Sequence, residues 1–348
     1  MTLEILWFCV LAFFWTSYFV LEGFDFGVGM LLPVLGRSER DRHTMLESIG
    51  PVWDGNEVWL VIAGAGTFAA FPVWYATMFS GFYLVLLAIL VLLILRVLSF
   101  EWRAKAESAG WRSVWTWFNT IGSFGVPFLW GIALSSLLHG VPVASDQTFA
   151  GDVGDLFSGY SIVAGITLCL LFALHGAVFL TLRTLGDLRQ RAARVAWRLA
   201  PLAAVVGAGF LAWTLVVAGD VNDKGLFPGV LPVAVAAIAV VAAVFLVRAG
   251  NERWAFAATA TTIAAAVVAL FVSLYPRVLV SDPDFGNSLT IENASSAHYS
   301  LVVMTVVAAV LVPVVLLYQA WTYHVFRARL GGEDPGTPID LVAPKPES

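Results

Sequence analysis

Charge is scarce in this chain. Only 12% of its 348 residues are Asp, Glu, Lys or Arg, about half the share found in soluble domains. Together with 59% apolar residues and a mean hydropathy of +0.85, this excludes a water-soluble enzyme and a disordered chain. The charge present leans acidic, 19 Lys and Arg against 24 Asp and Glu, and forms no basic face, which excludes nucleic acid as a partner. Cysteine is nearly missing. Cys9 and Cys169 lie far apart in apolar runs, so neither a disulfide framework nor a thiolate metal knot is encoded. Glycine-rich phosphate loops, nucleophile elbows and His-x-x-His or Glu-x-x-His spacings are missing as well. Of the five histidines, His43 falls in a loop, His139, His298 and His324 fall at the ends of apolar runs, and His175 stands alone inside one. A metal site needs several convergent ligands, so these read as packing residues, and no catalytic centre or metal site of the chain's own is visible.

What the sequence has instead is long apolar runs. A membrane span takes about 20 mostly apolar residues, and nine segments qualify: 5–32, 52–70, 73–100, 114–138, 159–182, 196–218, 229–247, 254–275 and 299–323. Before the first stands Glu4, where a secretion signal would be basic, and no small-residue cleavage site follows, so it reads as a retained span. The second and third are joined only by Phe71-Pro72, which predicts a tight hairpin. Fourteen Trp and 25 Phe suit two lipid–water boundaries. Sixteen of the Lys and Arg residues fall in alternate loops and the C-terminal tail, and only Lys224 and Arg277 fall in the others. That bias puts the N-terminus outside and the C-terminus in the cytoplasm, with an odd number of spans. The expectation is an all-α integral membrane protein, a single membrane domain over 1–330, followed by a flexible Gly- and Pro-rich cytoplasmic tail over 331–348. Asn293 to Ser296 are expected to cap the ninth helix.

The informative residues are charges inside spans. Glu22 and Asp25 sit in the first, Asp54 and Glu57 open the second, and Arg96 lies in the third, which ends near Glu101. Each charge at mid-bilayer costs about 2.5–3.5 kcal/mol on insertion scales, so these face protein or water rather than lipid. All lie toward the Arg-rich side. One arginine cannot neutralise four carboxylates, so the cluster is expected to hold protons, as a relay open to the cytoplasm must. Two plainer readings stand beside it. Asp25 and Arg96 would form an ion pair that fixes packing, or Asp54 and Glu57 would serve the positive end of the second helix.

These residues also carry a resemblance. Gly23-Phe-Asp-Phe-Gly-Val-Gly29, Trp53-Asp-Gly-Asn-Glu-Val-Trp-Leu60, Phe79-Ser-Gly-Phe-Tyr83, and Arg96 before Phe100-Glu-Trp-Arg103 resemble subunit II of the cytochrome bd-type quinol oxidases, and the likeness covers nearly the whole chain. The resemblance implies nine transmembrane helices arranged as two four-helix bundles plus one peripheral helix, in a bacterial inner membrane. It implies a heterodimer with a haem-bearing subunit I that holds haems b558, b595 and d, oxidises quinol and reduces dioxygen to water with cytoplasmic protons. No haem belongs to this chain, and a structural quinone and small accessory subunits are left open. It implies that Asp54 belongs to a proton path, with Asp25 and Arg96 as intramembrane charges beside it. Glu57 falls where the family varies between Gln and Glu. Trp53, Asn56, Trp59 and Glu101 are motif or partner-interface positions. A proton-coupled secondary transporter, or an inert scaffold for a catalytic partner, remains the alternative at this stage.

Overall fold

A computed structural model describes residues 2–221 and 227–331. Eleven α-helices carry the fold among these residues: α1 (Leu3–Leu35), α2 (Glu39–Ile49), α3 (Trp53–Ala70), α4 (Pro72–Gly81), α5 (Tyr83–Lys105), α6 (Ala109–His139), α7 (Gly159–Arg183), α8 (Gly186–Val221), α9 (Phe227–Arg248), α10 (Glu252–Leu274) and α11 (His298–Val325). Eight of them are long and apolar enough to span a membrane, and the count reaches nine if α3 and α4, bent by 118° at Phe71, are taken as one broken span. The chain does turn at Phe71-Pro72, but by a 118° bend into the ten-residue α4 and not into a full antiparallel span, because Phe82 divides the expected third span into α4 and α5. The tail from 332 onward lies outside the described residues.

Helix α1 is the axis. It packs on α3, α6, α7 and α10, while α5 packs on α6, α8 on α7, and α9 on both α8 and α10. At its tightest crossing Gly27 of α1 meets Gly176 of α7, an approach only residues without side chains permit. Helix α11 is the least embedded. It is fastened at one end by the Trp7 indole, which donates to Leu301 O at 3.2 Å and Thr305 Oγ1 at 3.0 Å.

The acidic end is closed by the α6–α7 and α10–α11 loops. Strands β1 (Arg277–Leu279) and β2 (Leu289–Thr290) pair antiparallel there, and Val141 N donates to Val280 O at 3.1 Å. Asn293 to Ser296 do not cap α11, whose N-cap is Ala297 with no side-chain bond. Asn293 Oδ1 instead accepts from Thr290 N at 2.8 Å, and Ser296 Oγ donates to Ala69 O at 2.6 Å. These residues tie the loop to β2 and to the end of α3.

At the opposite, Arg-rich end, the loop after α1 folds into α2, opened by a Ser38/Asp41 capping box. Carboxylates on this end act as hubs. Glu39 accepts from Arg42 at 2.5 Å and from Arg103 at 2.6 Å, Asp41 pairs with Arg191 at 2.9 Å, and Glu252 pairs with Arg189 at 2.6 Å and Arg329 at 2.7 Å. Partial burial works against ionisation of Glu39 and Asp41. Hydrogen bonds from Arg42 to Glu39 and from Ser38 to Asp41, with the nearby arginine charges, outweigh it and hold both carboxyls below their usual range. A carboxyl lowered in the folded state contributes stability above its ordinary range, and that contribution disappears as pH falls through the folded value. Thermal unfolding should therefore shift to lower temperature between about pH 5 and pH 3. The double variant Glu39→Gln/Asp41→Asn should flatten that slope. An unchanged slope would show that these pairs contribute nothing.

Candidate functional site

Three of the four expected acids gather near Arg96, the arginine in the middle of α5. Arg96 and Glu22 are completely buried, and Arg96 Nη1 lies 3.1 Å from Glu22 Oε2 and 3.9 Å from Glu57 Oε2. The guanidinium lies over the Phe26 ring at 4.4 Å and the Phe100 ring at 5.3 Å. Asp25, also buried, does not pair with Arg96. Its Oδ2 accepts from Asn56 Nδ2 at 2.7 Å. Three residues along a helix leave Glu22 and Asp25 about 60° apart around the axis, so Glu22 reaches α5 while Asp25 reaches α3.

Asp54 does not join them. It occupies the first turn of α3, exposed, and α3 has Val52 as N-cap with no side-chain cap bond. Glu101 is exposed as well and pairs with Lys105 at 3.4 Å. Trp53 packs on Phe100 at 5.0 Å between ring centroids. Trp59 is buried against Phe13 and Phe14. His175 is buried, with Nδ1 2.7 Å from Thr259 Oγ1 and its ring stacked on Phe256 at 4.5 Å. Among the described residues no three His, Cys, Asp or Glu side chains converge as metal ligands.

Two polar tracks, neither expected from the sequence, run from the Arg-rich end toward the cluster. In one, Tyr323 Oη and Gln319 Nε2 of α11 each donate to Asn56 Oδ1 at 2.8 Å, and Asn56 passes the connection to Asp25. In the other, Glu39 accepts from Arg103, whose Nε donates to Thr116 Oγ1 at 2.9 Å. One turn deeper on α6, Asn119 Nδ2 donates to Ser99 Oγ at 2.9 Å, and Ser99 Oγ donates to Arg96 O at 2.5 Å. Toward the acidic end the surroundings change character. Trp15 and Trp130 meet edge to face at 4.9 Å and Tyr18 and Phe19 at 5.1 Å, while Phe26, under the Arg96 guanidinium, stacks on Phe172 at 6.1 Å. All six rings are buried. The cluster thus has polar connections on one side and an aromatic block on the other.

The acids also hold more hydrogen-bonding capacity than the protein meets. Neither Glu22 carboxylate oxygen, nor Asp25 Oδ1, nor any Arg96 guanidinium nitrogen has a protein partner in hydrogen-bonding geometry among the described residues. Buried polar atoms are nearly always satisfied, and groups like these draw on internal water or a shared proton.

The comparisons agree on what this chain is similar to. The family model described as cytochrome bd terminal oxidase subunit II matches residues 3–326. Cytochrome bd ubiquinol oxidase subunit 2 of Bacillus subtilis is 40% identical over 336 residues, covering 97% of this chain and 99% of that protein. Cytochrome bd-I ubiquinol oxidase subunit 2 of Escherichia coli K12 is 33% identical, covering 95% and 96%. A chain of the bd oxidase from Geobacillus thermodenitrificans has the same fold, with a TM-score of 0.74 at 21% identity over 93% of this chain and 97% of that one. The curated relatives are subunits of an oxidoreductase complex, and the helices described above make this chain a multi-pass membrane protein. With the match running almost end to end, the chain belongs to the cytochrome bd terminal oxidase subunit II family.

Proposed function

We propose that this chain is the non-haem subunit of a terminal quinol:oxygen oxidoreductase, and that it delivers cytoplasmic protons for the reduction of dioxygen to water. The observation that carries the reading is the gathering of Glu22, Asp25 and Glu57 around Arg96, joined by polar side chains to the Arg-rich end and backed by rings toward the other. The Arg-rich end is the cytoplasmic one, on the charge bias of the loops. Helices α1, α3, α5 and α6 form one bundle and α7 to α10 the other, with α11 peripheral, which fits their packing partners. The partner is a haem-bearing subunit I. Its haems supply the electron transfer to dioxygen, and quinol supplies the electrons.

This chain's own residues hold and move protons. Exposed Asp54 exchanges protons with water at the mouth. Glu57, one turn along α3 and partly exposed, accepts from it. Glu22 and Glu57 share Arg96 Nη1, at 3.1 and 3.9 Å from it, so a proton arriving on one changes how strongly the arginine holds the other. Three carboxylates against one cation would leave two uncompensated charges in a largely water-excluded site, where like charges repel far more than in water. The cluster is therefore stable only with protons on board. Asn56 holds Asp25 in place, and Tyr18, Phe19 and Trp130 block leakage toward the acidic end.

The purified complex should contain a haem-bearing partner with a red-region haem d band. Asp25→Asn should lower oxygen consumption by about a hundredfold while that band is retained. A colourless preparation, or full oxygen consumption in the Asp25→Asn variant, would overturn the proposal. Loss of the band would assign Asp25 to assembly rather than proton transfer.

A further inference from the structure

A cavity of about 420 Å³ opens at the Arg-rich end between the last turns of α7 and α11 and the first turn of α10. Four arginines line it: Arg183, Arg253, Arg327 and Arg329. Among the described residues only Arg329 of the four is paired with a carboxylate, Glu252, which it shares with Arg189. Arg183 donates to the Ala328 carbonyl at 2.6 Å, and Arg327 lies against the His324 ring. Arg253 is exposed and pairs with no side chain among the described residues. The rest of the wall is apolar, with Phe179, Leu182, Phe256 and Phe326. Just outside, Trp254 and Trp321 are 67% and 60% exposed, and exposed tryptophans of this kind mark the headgroup level of a bilayer.

Three arginines without carboxylates are an unbalanced positive charge, and they face a space that is greasy on the membrane side. A soluble anion would use the charge and leave the apolar wall wet. A neutral lipid would use the wall and leave the charge unanswered. A phospholipid with net negative charge uses both, and basic pockets between transmembrane helices on this side are a known way to hold one. We propose that this cavity is a binding site for the phosphate headgroup of an anionic phospholipid, with Arg253 and Arg327 as its principal contacts and the first acyl carbons on Phe179 and Phe256. Tyr323 shares the wall and donates to Asn56 at 2.8 Å, so the bound lipid would sit beside one of the two polar tracks.

The test uses the intact complex, purified with its partner subunit, detergent-washed and weighed by native mass spectrometry. It is then titrated with nanodiscs of phosphatidylcholine alone or with added phosphatidylglycerol. The wild type should retain an anionic phospholipid, or rebind phosphatidylglycerol but not phosphatidylcholine. Arg253→Gln/Arg327→Gln should bind phosphatidylglycerol about thirtyfold more weakly, since each surface arginine contributes about fivefold to binding an anionic lipid. Arg194→Gln/Arg198→Gln removes the same charge from exposed positions of α8 outside the cavity and should leave binding unchanged. Equal losses in both doubles would reduce the effect to general surface charge and overturn the site. Displacement of the lipid by millimolar inorganic phosphate would make it a soluble-anion pocket and overturn the lipid assignment. A wild type that binds neither lipid, whether because the partner subunit or the C-terminal tail fills the cavity, would overturn it as well.

Discussion

Replacing Arg96 with leucine is expected to cost the fold about 3–5 kcal/mol, the usual result of removing one partner from a buried charge group, and so to abolish most of the folded protein. Among the described residues Arg96 is the only cation paired with Glu22 and Glu57, and it is completely buried with Glu22. Its guanidinium also fills the space over Phe26. Leucine fills part of that space but leaves the carboxylates with no counter-charge in a low-dielectric interior. The penalty comes from what is left behind, so removing that as well should relieve it. Arg96→Leu/Glu22→Gln should recover a substantial part of the lost stability, a coupling that neither single variant shows alone. Folded yield and thermal unfolding in detergent read both effects. An Arg96→Leu variant that melts like the wild type would mean the acids never depend on that cation.

The second large effect is expected where α1 crosses α7. A Cβ added at Gly27 would stand 2.0 Å from the Phe172 carbonyl oxygen and 2.8 Å from Gly176 Cα. Both obstacles are backbone, so no side chain can turn aside, and the two helices must separate. Overpacking of this kind costs about 1–3 kcal/mol for one methyl group, and Gly27→Val should exceed the range. Because Glu22 and Asp25 ride on α1, the separation should also disturb the acid cluster. Gly209→Ala provides the contrast. It lies exposed in α8 with nothing within 4 Å of the added Cβ, and should be neutral or stabilising by up to about 1 kcal/mol, because alanine is the better helix former. Comparable destabilisation by Gly27→Ala and Gly209→Ala would remove the crossing as the explanation.

The spans were legible because a twenty-residue apolar run admits few other structures. So were Glu22, Glu57 and Arg96 as neighbours, since charges on adjacent spans must find one another or water. Which acid takes the arginine was not legible. That depends on the 60° rotation between Glu22 and Asp25 and on Asn56, which claims Asp25. The α2 helix escaped because it is short and charged, and hydropathy does not see such helices. Its capping box, Ser38 followed three residues later by Asp41, was the available signal. The polar tracks left no local pattern at all. Tyr323 and Gln319 stand 267 and 263 residues from Asn56 in the chain, and single Ser, Thr or Asn residues on α5 and α6 look like ordinary variation until the helices are packed.

Proton uptake from the Arg-rich side, followed with a pH-sensitive dye as reduced complex in sealed vesicles reacts with dioxygen, tests the relay most directly. Wild type should take up protons from that side alone, and Asp25→Asn should slow the uptake by about a hundredfold with partner haem content unchanged. Uptake at the wild-type rate in that variant, or equal uptake from the acidic side, would contradict a relay through Glu22, Asp25 and Glu57.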